Sequence, residues 1–129
     1  MAEIPQGLYY TEEHEYLKPT DEDGVFLVGI TDYAQGELGD VVFVELPEAG
    51  ESFNRMDPFG TIEAVKAVSD LYCPVTGEIL EVNTALDDDP ALVNSEPYEG
   101  GWMVRLRVDD GAELDSLLDA DGYRALIGE

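Results

Sequence analysis

The chain has 129 residues, with 30 acids against 6 bases and a formal net charge of −24. That length fits one domain, and a body so negative is repelled by nucleic acid and anionic lipid, which excludes a protein living on phosphate contacts. A single cysteine, Cys73, excludes an internal disulfide and fits a reducing compartment, while 44% apolar content with four Phe, seven Tyr and one Trp supplies a core.

The pattern predicts many short strands. Gly24 to Ile30 is a continuous apolar run, as expected of a strand buried on both faces. Asp32 to Leu38 reads as a short helix capped by Asp32, with Gln35 three residues on. Asp40 to Leu46 is the next strand, stopped by Pro47. Gly60 to Val65 and Val68 to Cys73 form a hairpin around a tight turn at Lys66-Ala67, and Gly77 to Val82 follows the Pro74-Val75-Thr76-Gly77 turn. Asp89 caps a single helical turn over Pro90 to Asn94. Trp102 to Val108 alternates, with Trp102, Val104, Leu106 and Val108 inward. Asp110-Gly111-Ala112-Glu113 is a capping-box pattern ahead of Leu114, Leu117 and Leu118. A last helical turn over Asp121 to Ile127 has Tyr123, Leu126 and Ile127 as its apolar members. The expectation is a mainly β sandwich or barrel of one domain over 1–129, with short helices and a helical segment at about 110–128.

No apolar run approaches the ~20 residues that span a bilayer. Residues 1–10 have neither the basic start of a signal peptide nor the bias of a transit peptide, so a soluble cytoplasmic chain is expected. Thirty carboxylates also devalue arguments from acid spacing, because close pairs arise by chance. Asp21-Glu22-Asp23-Gly24 resembles half of a calcium loop, but the first ligand position would be Pro19 and the twelfth Ile30, so no metal site is expected. The sole histidine, His14, precludes a histidine triad pairing or a multi-histidine zinc site elsewhere and reads as structural. Cys73 reads as a buried small apolar residue and Trp102 as core. Self-repulsion at −24 is relieved when the Debye length falls to ~3 Å near 1 M salt, so the excess of acid points to a cytoplasm of molar salt. The other reading is an acidic surface that docks on basic partners.

One feature stands apart. Lysine occurs only at Lys18 and Lys66, and Lys66 sits where the hairpin turns. A free ammonium on a rigid, exposed hairpin is what a modifying enzyme can reach and what a swinging prosthetic arm needs as a base.

The segment Gly60-Thr61-Ile62-Glu63-Ala64-Val65-Lys66-Ala67-Val68-Ser69-Asp70 resembles the lipoyl-lysine hairpin of the glycine cleavage system H proteins. The likeness extends to His14-Glu15-Tyr16, with Tyr in place of the family's usual Trp, to Gly29 through Gln35, and to Leu38 through Pro47. It continues in Pro74 through Ile79, Glu81-Val82-Asn83, Val93 through Tyr98 and Gly101-Trp102, so it runs from about Gly7 to Tyr123. The resemblance implies a lipoyl/biotinyl-like β-sandwich (barrel-sandwich hybrid) whose hairpin spans about 60–73. It implies a non-catalytic carrier with (R)-lipoate amide-linked to Lys66. Such a carrier takes the aminomethyl group of glycine from the pyridoxal-phosphate glycine decarboxylase (P protein) to the aminomethyltransferase (T protein), which passes it to tetrahydrofolate. The flavin-dependent dihydrolipoyl dehydrogenase (L protein) then reoxidises the arm, and tethering replaces free diffusion between the three.

The resemblance also implies a cleft in which Glu13, Glu15 and Asp70 hold the loaded arm, and recognition of Glu63 and Asp70 by the lipoylating enzyme. Carboxylates suit an aminomethyl ammonium, and a closed cleft limits hydrolysis. Related carriers form the alternatives. Biotinyl domains usually set methionine on both sides of their lysine, where this chain has Val65 and Ala67. Lipoyl domains of 2-oxoacid dehydrogenases normally come fused to linkers and an acyltransferase core. An H-like relay protein would hand lipoate to other carriers, and an unmodified binding scaffold would carry nothing.

Overall fold

The computed structural model describes residues 3–109 and 111–128. Along them run strands β1 (Tyr9–Tyr10), β2 (Glu15–Pro19) and β3 (Val25–Ile30), helix α1 (Asp32–Leu38), and strands β4 (Val41–Glu45) and β5 (Ser52–Phe53). Strands β6 (Pro58–Ala64), β7 (Val68–Tyr72) and β8 (Gly77–Val82) follow, then helices α2 (Ala85–Asp88) and α3 (Leu92–Ser95) and strand β9 (Val104–Val108). A 3-10 helix (Gly111–Ser116) leads to helix α4 (Ala120–Ile127).

The strands pair antiparallel in two sheets, one ordered β1-β2-β3-β9-β8-β5 and the other β4-β6-β7. Alternating side chains of both sheets meet in one core. Leu17, Val28, Ile79, Val104 and Leu106 come from the larger sheet, and Val41, Val44, Ile62 and Leu71 from the smaller. Each such side chain contributes about 1.5–3 kcal/mol when fully buried. A second cluster joins the N-terminal segment to α4 through Ile4, Leu8, Tyr10, Tyr16, Tyr98, Ala120 and Tyr123. The Tyr10 and Tyr123 rings stack there at 4.8 Å.

The hairpin of β6 and β7 is in strict register near its tip, with Thr61 opposite Asp70, Ile62 opposite Ser69 and Glu63 opposite Val68. The Ala64 amide donates to Ala67 O at 2.7 Å, so the turning residues are Val65 and Lys66, one position earlier than the expected Lys66-Ala67. Strand β4 braces the other side of β6, and it does so closely. A Cβ on Gly60 would lie 2.3 Å from Glu45 O, so only glycine admits that approach.

Several local expectations are corrected. Helix α1 has the expected bounds, but Thr31 caps it by accepting from the Ala34 amide at 3.2 Å. Asp32 instead accepts from the Glu3 amide and the Gln35 side chain, each at 2.8 Å. Asp89 ends α2 rather than starting a helix, and Ala91 precedes α3. Here tertiary burial of Leu86 and Val93 overrides the Asp-Pro signal.

Trp102 lies before β9 and is half-buried, while its neighbour Met103 is fully buried in the core cluster, with its amide donating to Val28 O at 2.8 Å. Val104 and Leu106 point inward as expected, and Val108 is half-buried. Asp110 of the expected capping box lies outside the described residues. Glu113 turns its carboxylate to the Thr76 amide at 2.7 Å, and the segment is a 3-10 helix rather than an α-helix. Leu126 in α4 is exposed, and Tyr123 and Ala120 make the buried contacts.

Candidate functional site

A cleft of about 290 Å³ opens where the two sheets and α1 meet. One wall is the turn Glu13-His14-Glu15, the second is α1 with Tyr33, Ala34, Glu37 and Leu38, and the third is the hairpin with Ile62, Ser69, Asp70 and Leu71. The cleft therefore gathers three of the residues singled out from sequence, Glu13, Glu15 and Asp70. Glu63 is half-buried in β6 beside Val68 and is not among the lining residues. Lys66 stands exposed at the hairpin tip, four residues from Asp70.

The turn that holds Glu15 is built by Thr11. Its hydroxyl accepts from the amides of Glu13 and Glu15, both at 3.2 Å, and its carbonyl from the His14 amide at 3.1 Å. His14 takes a left-handed conformation with φ of 67°, uncommon for a residue with a Cβ, which reverses the chain into β2. Two contacts hold it there. Its carbonyl accepts from the Thr31 amide at 3.0 Å, and its Nδ1 lies 2.8 Å from the Tyr123 hydroxyl. That hydroxyl also meets Thr31 Oγ1 at 2.7 Å, so α4 ties the Glu13-Glu15 wall to the start of α1. Burial lowers the His14 pKa, against the opposing fields of Glu13 and Glu37.

Glu15 is 3% exposed, which is rare for a carboxylate. Its Oε2 accepts from the Tyr72 amide at 2.7 Å, while Oε1 is buried without a hydrogen-bond partner among the described residues. Burial pushes its pKa well above the usual carboxylate range, although the Tyr72 N–H acts the other way. A cation entering the cleft finds an acid whose ionised form its arrival would stabilise. Asp70 on the edge strand β7 and Glu13 on the turn are exposed, and each adds a carboxylate to the rim. Exposed Glu37 of α1 adds another, and between these groups apolar Ile30, Ala34, Leu38, Ile62 and Leu71 line the cleft, which suits an aliphatic chain ending in a positive group.

The two lysines differ in kind. Lys18 is the penultimate residue of β2, donates to Tyr98 O at 3.0 Å and pairs with Glu99 at 3.4 Å. Lys66 is on a turn and makes no ion pair among those recorded for the described residues. Several apolar side chains near it are exposed among the acids Asp40, Glu63 and Asp70. Val65, Val68, Val42 and Phe43 are all about half or more exposed, and Phe43, Glu63 and Val68 lie side by side across the three strands. Cys73 is buried and donates to Val75 O at 3.1 Å, with burial pushing its thiol up to about 12, which leaves it inert as a nucleophile.

Sequence reasoning missed the α1 wall, although Ala34 and Leu38 at helical spacing were a signal for it. It also missed Thr31 and Tyr123. Their roles depend on a contact across 92 residues of chain that no local pattern encodes.

The family model described as Glycine cleavage H-protein matches residues 8–129. The H protein of Brevibacillus brevis is 53% identical over 127 residues, covering 98% of this chain and 99% of the relative. The H protein of Chlorobium limicola is 55% identical over 126 residues, covering 98% of each. Among solved structures, the glycine cleavage system H protein of Mycobacterium marinum superposes with a TM-score of 0.88 at 40% identity, covering 98% of this chain and all of the other. The expected lipoyl-type β-sandwich is thereby borne out.

Proposed function

The chain belongs to the glycine cleavage H-protein family, and from that premise we propose that it is the lipoylated carrier of the glycine cleavage system, with Lys66 as attachment site. The observation that carries this reading is the exposed Lys66 on a two-residue turn of a braced hairpin, beside a cleft that ends in a buried carboxylic acid. Lipoate held as an amide of Lys66 would supply a dithiolane, the disulfide chemistry suited to receiving an aminomethyl group. The residues fit such an arm. The cleft is lined by aliphatic side chains and four carboxyl groups, Glu13, Glu15, Glu37 and Asp70, and the amide link removes one of the six positive charges of the chain.

Glu63 and Asp70 flank Lys66 for reading by the lipoylating enzyme. Glu13, Glu15 and Asp70 bind the cationic end of the loaded arm, and the apolar walls exclude water from it. The protein is a non-catalytic cytoplasmic subunit. Its partners are glycine decarboxylase, the aminomethyltransferase and dihydrolipoyl dehydrogenase, each meeting the exposed apolar side chains around the hairpin.

The test is intact mass of the natively expressed protein followed by glycine–bicarbonate exchange with the decarboxylase. The expected result is one lipoyl group at Lys66 and exchange that depends on it. A biotinylated or unmodified mass overturns the reading. A lipoylated protein that supports no exchange is a relay protein instead.

The charge carries a second part of the proposal, adaptation to molar salt. Against 30 acids there are 6 bases, and the ion pairs of Lys18, Arg105, Arg107 and Arg124 are at the surface, where each contributes little. The net repulsion is therefore left to screening. The melting temperature should rise as KCl goes from low to molar concentration, and exchange with partners from the same cell should rise with it while all components stay folded. Exchange that falls steadily with salt would show that the acids are a docking surface for basic partners.

A further inference from the structure

The segment Val93 through Tyr98 belongs to the family pattern, yet it contributes no residue to the cleft. Its half-buried Asn94 makes three hydrogen bonds, which converge on the turn between α1 and β4. Nδ2 donates to Gln35 Oε1 at 2.9 Å and to Gly39 O at 2.8 Å, and Oδ1 accepts from the Val41 amide at 2.9 Å. One side chain thus clamps both sides of the 39–41 turn.

That turn lies directly under the hairpin tip. The Val65 amide donates to Asp40 O at 2.9 Å. Gly39, at φ +82°, faces the aliphatic stem of Lys66, and a Cβ there would sit 3.1 Å from Lys66 Cε and 3.6 Å from Cδ. The stem therefore rests on Gly39 at the C-terminal end of the helix whose Ala34, Glu37 and Leu38 wall the cleft. A lysine stem free in water would sample many rotamers, whereas a stem resting on the turn samples few.

We propose that Asn94 is a positioning residue for Lys66: it holds the 39–41 turn as a seat that leans the lysine stem toward the mouth of the cleft. The seat limits the arcs open to the arm and presents the amine in one direction to the lipoylating enzyme. This rests on the reading that Lys66 bears the arm, but the seat itself is a property of the unmodified chain.

The experiment uses unmodified full-length protein labelled with 13C and 15N, comparing wild type with Asn94→Ala, Asn94→Asp and Gln35→Ala. Asn94→Asp keeps an acceptor for the Val41 amide and sets a carboxylate against Gly39 O and Gln35 Oε1. Gln35→Ala removes one anchor with a residue that favours helix. The probe is the NOE between the Lys66 ε-protons and the Gly39 α-protons, with the Thr61–Asp70 cross-strand contacts as the check of fold. The wild type should show the NOE, Gln35→Ala should weaken it, and the two Asn94 variants should lose it while cross-strand contacts persist. In lipoylation assays the Asn94 variants should lose about tenfold in kcat with little change in KM, as expected for misplacement rather than lost binding.

Absence of the NOE in wild type overturns the seat, as does an undiminished NOE in the folded variants. If both Asn94 variants unfold, the Gln35→Ala result decides in the same way. If the NOE behaves as expected but Lys66 never receives lipoate, the seat stands and the carrier function fails.

Discussion

Replacing Lys66 with arginine should abolish lipoylation and all carrier activity while leaving the fold intact. Arginine keeps the positive charge and the long stem, but its guanidinium stays protonated and does not form the amide. Lys66 lies on a solvent-facing turn, so its replacement removes no core contact, and changes at such sites usually alter stability by no more than about 0.5 kcal/mol. Lys18 cannot substitute. Its amine is held by Tyr98 O and Glu99, and it stands within the β2–β3 ladder opposite Leu27 rather than at a turning position. Intact mass should show lipoyl on wild type and none on Lys66→Arg, with matching melting curves. Lipoyl mass retained by the variant would refute the assignment.

Glu15→Gln should separate stability from protection of the loaded arm, moving them in opposite directions. The pKa of Glu15 is raised in the folded state because burial disfavours its charge. A raised acid binds its proton more tightly folded than unfolded. Its contribution is therefore full below the unfolded value, near 4.5, and is lost as pH rises through the folded value. Glutamine bears no such charge, and its carbonyl can still accept from the Tyr72 amide. The melting temperature of Glu15→Gln relative to wild type should thus climb as pH rises from 4.5 and then level off above the folded pKa.

Arm protection should worsen in the same variant. A hydrogen bond to a charged partner is worth about 1.5–3 kcal/mol, so loss of the aminomethyl group from isolated loaded protein should accelerate by roughly 10- to 100-fold. Asp70→Asn should accelerate it by only a few fold, since Asp70 is exposed and solvent screens its field. Unchanged decay in both variants would place the protection elsewhere. A constant difference in melting temperature across the pH range would show that Glu15 is ionised in the resting protein.

The positions of Lys66, Glu15 and Asp70 in one hairpin and one strand start were legible from the order of residues, because strands and turns are local and the family pattern is continuous along the chain. The hairpin itself needed no tertiary information beyond alternating side chains around a turn, and even there the turning pair fell one residue earlier. That offset follows from the Ala64–Ala67 pairing, in a strand that also pairs Ala64 with Val41 of β4. The strand core was equally legible in Val25 to Ile30 and Val104 to Leu106, whose burial follows from unbroken or alternating apolar runs.

Composition and local order carried the chemistry: two lysines with one at a hairpin turn, an excess of carboxylates, and a mainly β carrier. The tertiary structure alone decided the environment of that chemistry. It buried Glu15 to 3% exposure and left one of its oxygens unpartnered among the described residues, although the sequence shows it as one acid among thirty. It set Tyr123 against His14 and Thr31, and Asn94 against Gly39 and Val41, across 109, 92, 55 and 53 residues of chain. It also withdrew Trp102 from the core in favour of Met103. The physical reason is common to all of these. Side-chain type and period are properties of neighbours along the chain, whereas desolvation and hydrogen-bond partnership depend on which distant segments pack together, and only the folded chain brings those segments within 3 Å of one another.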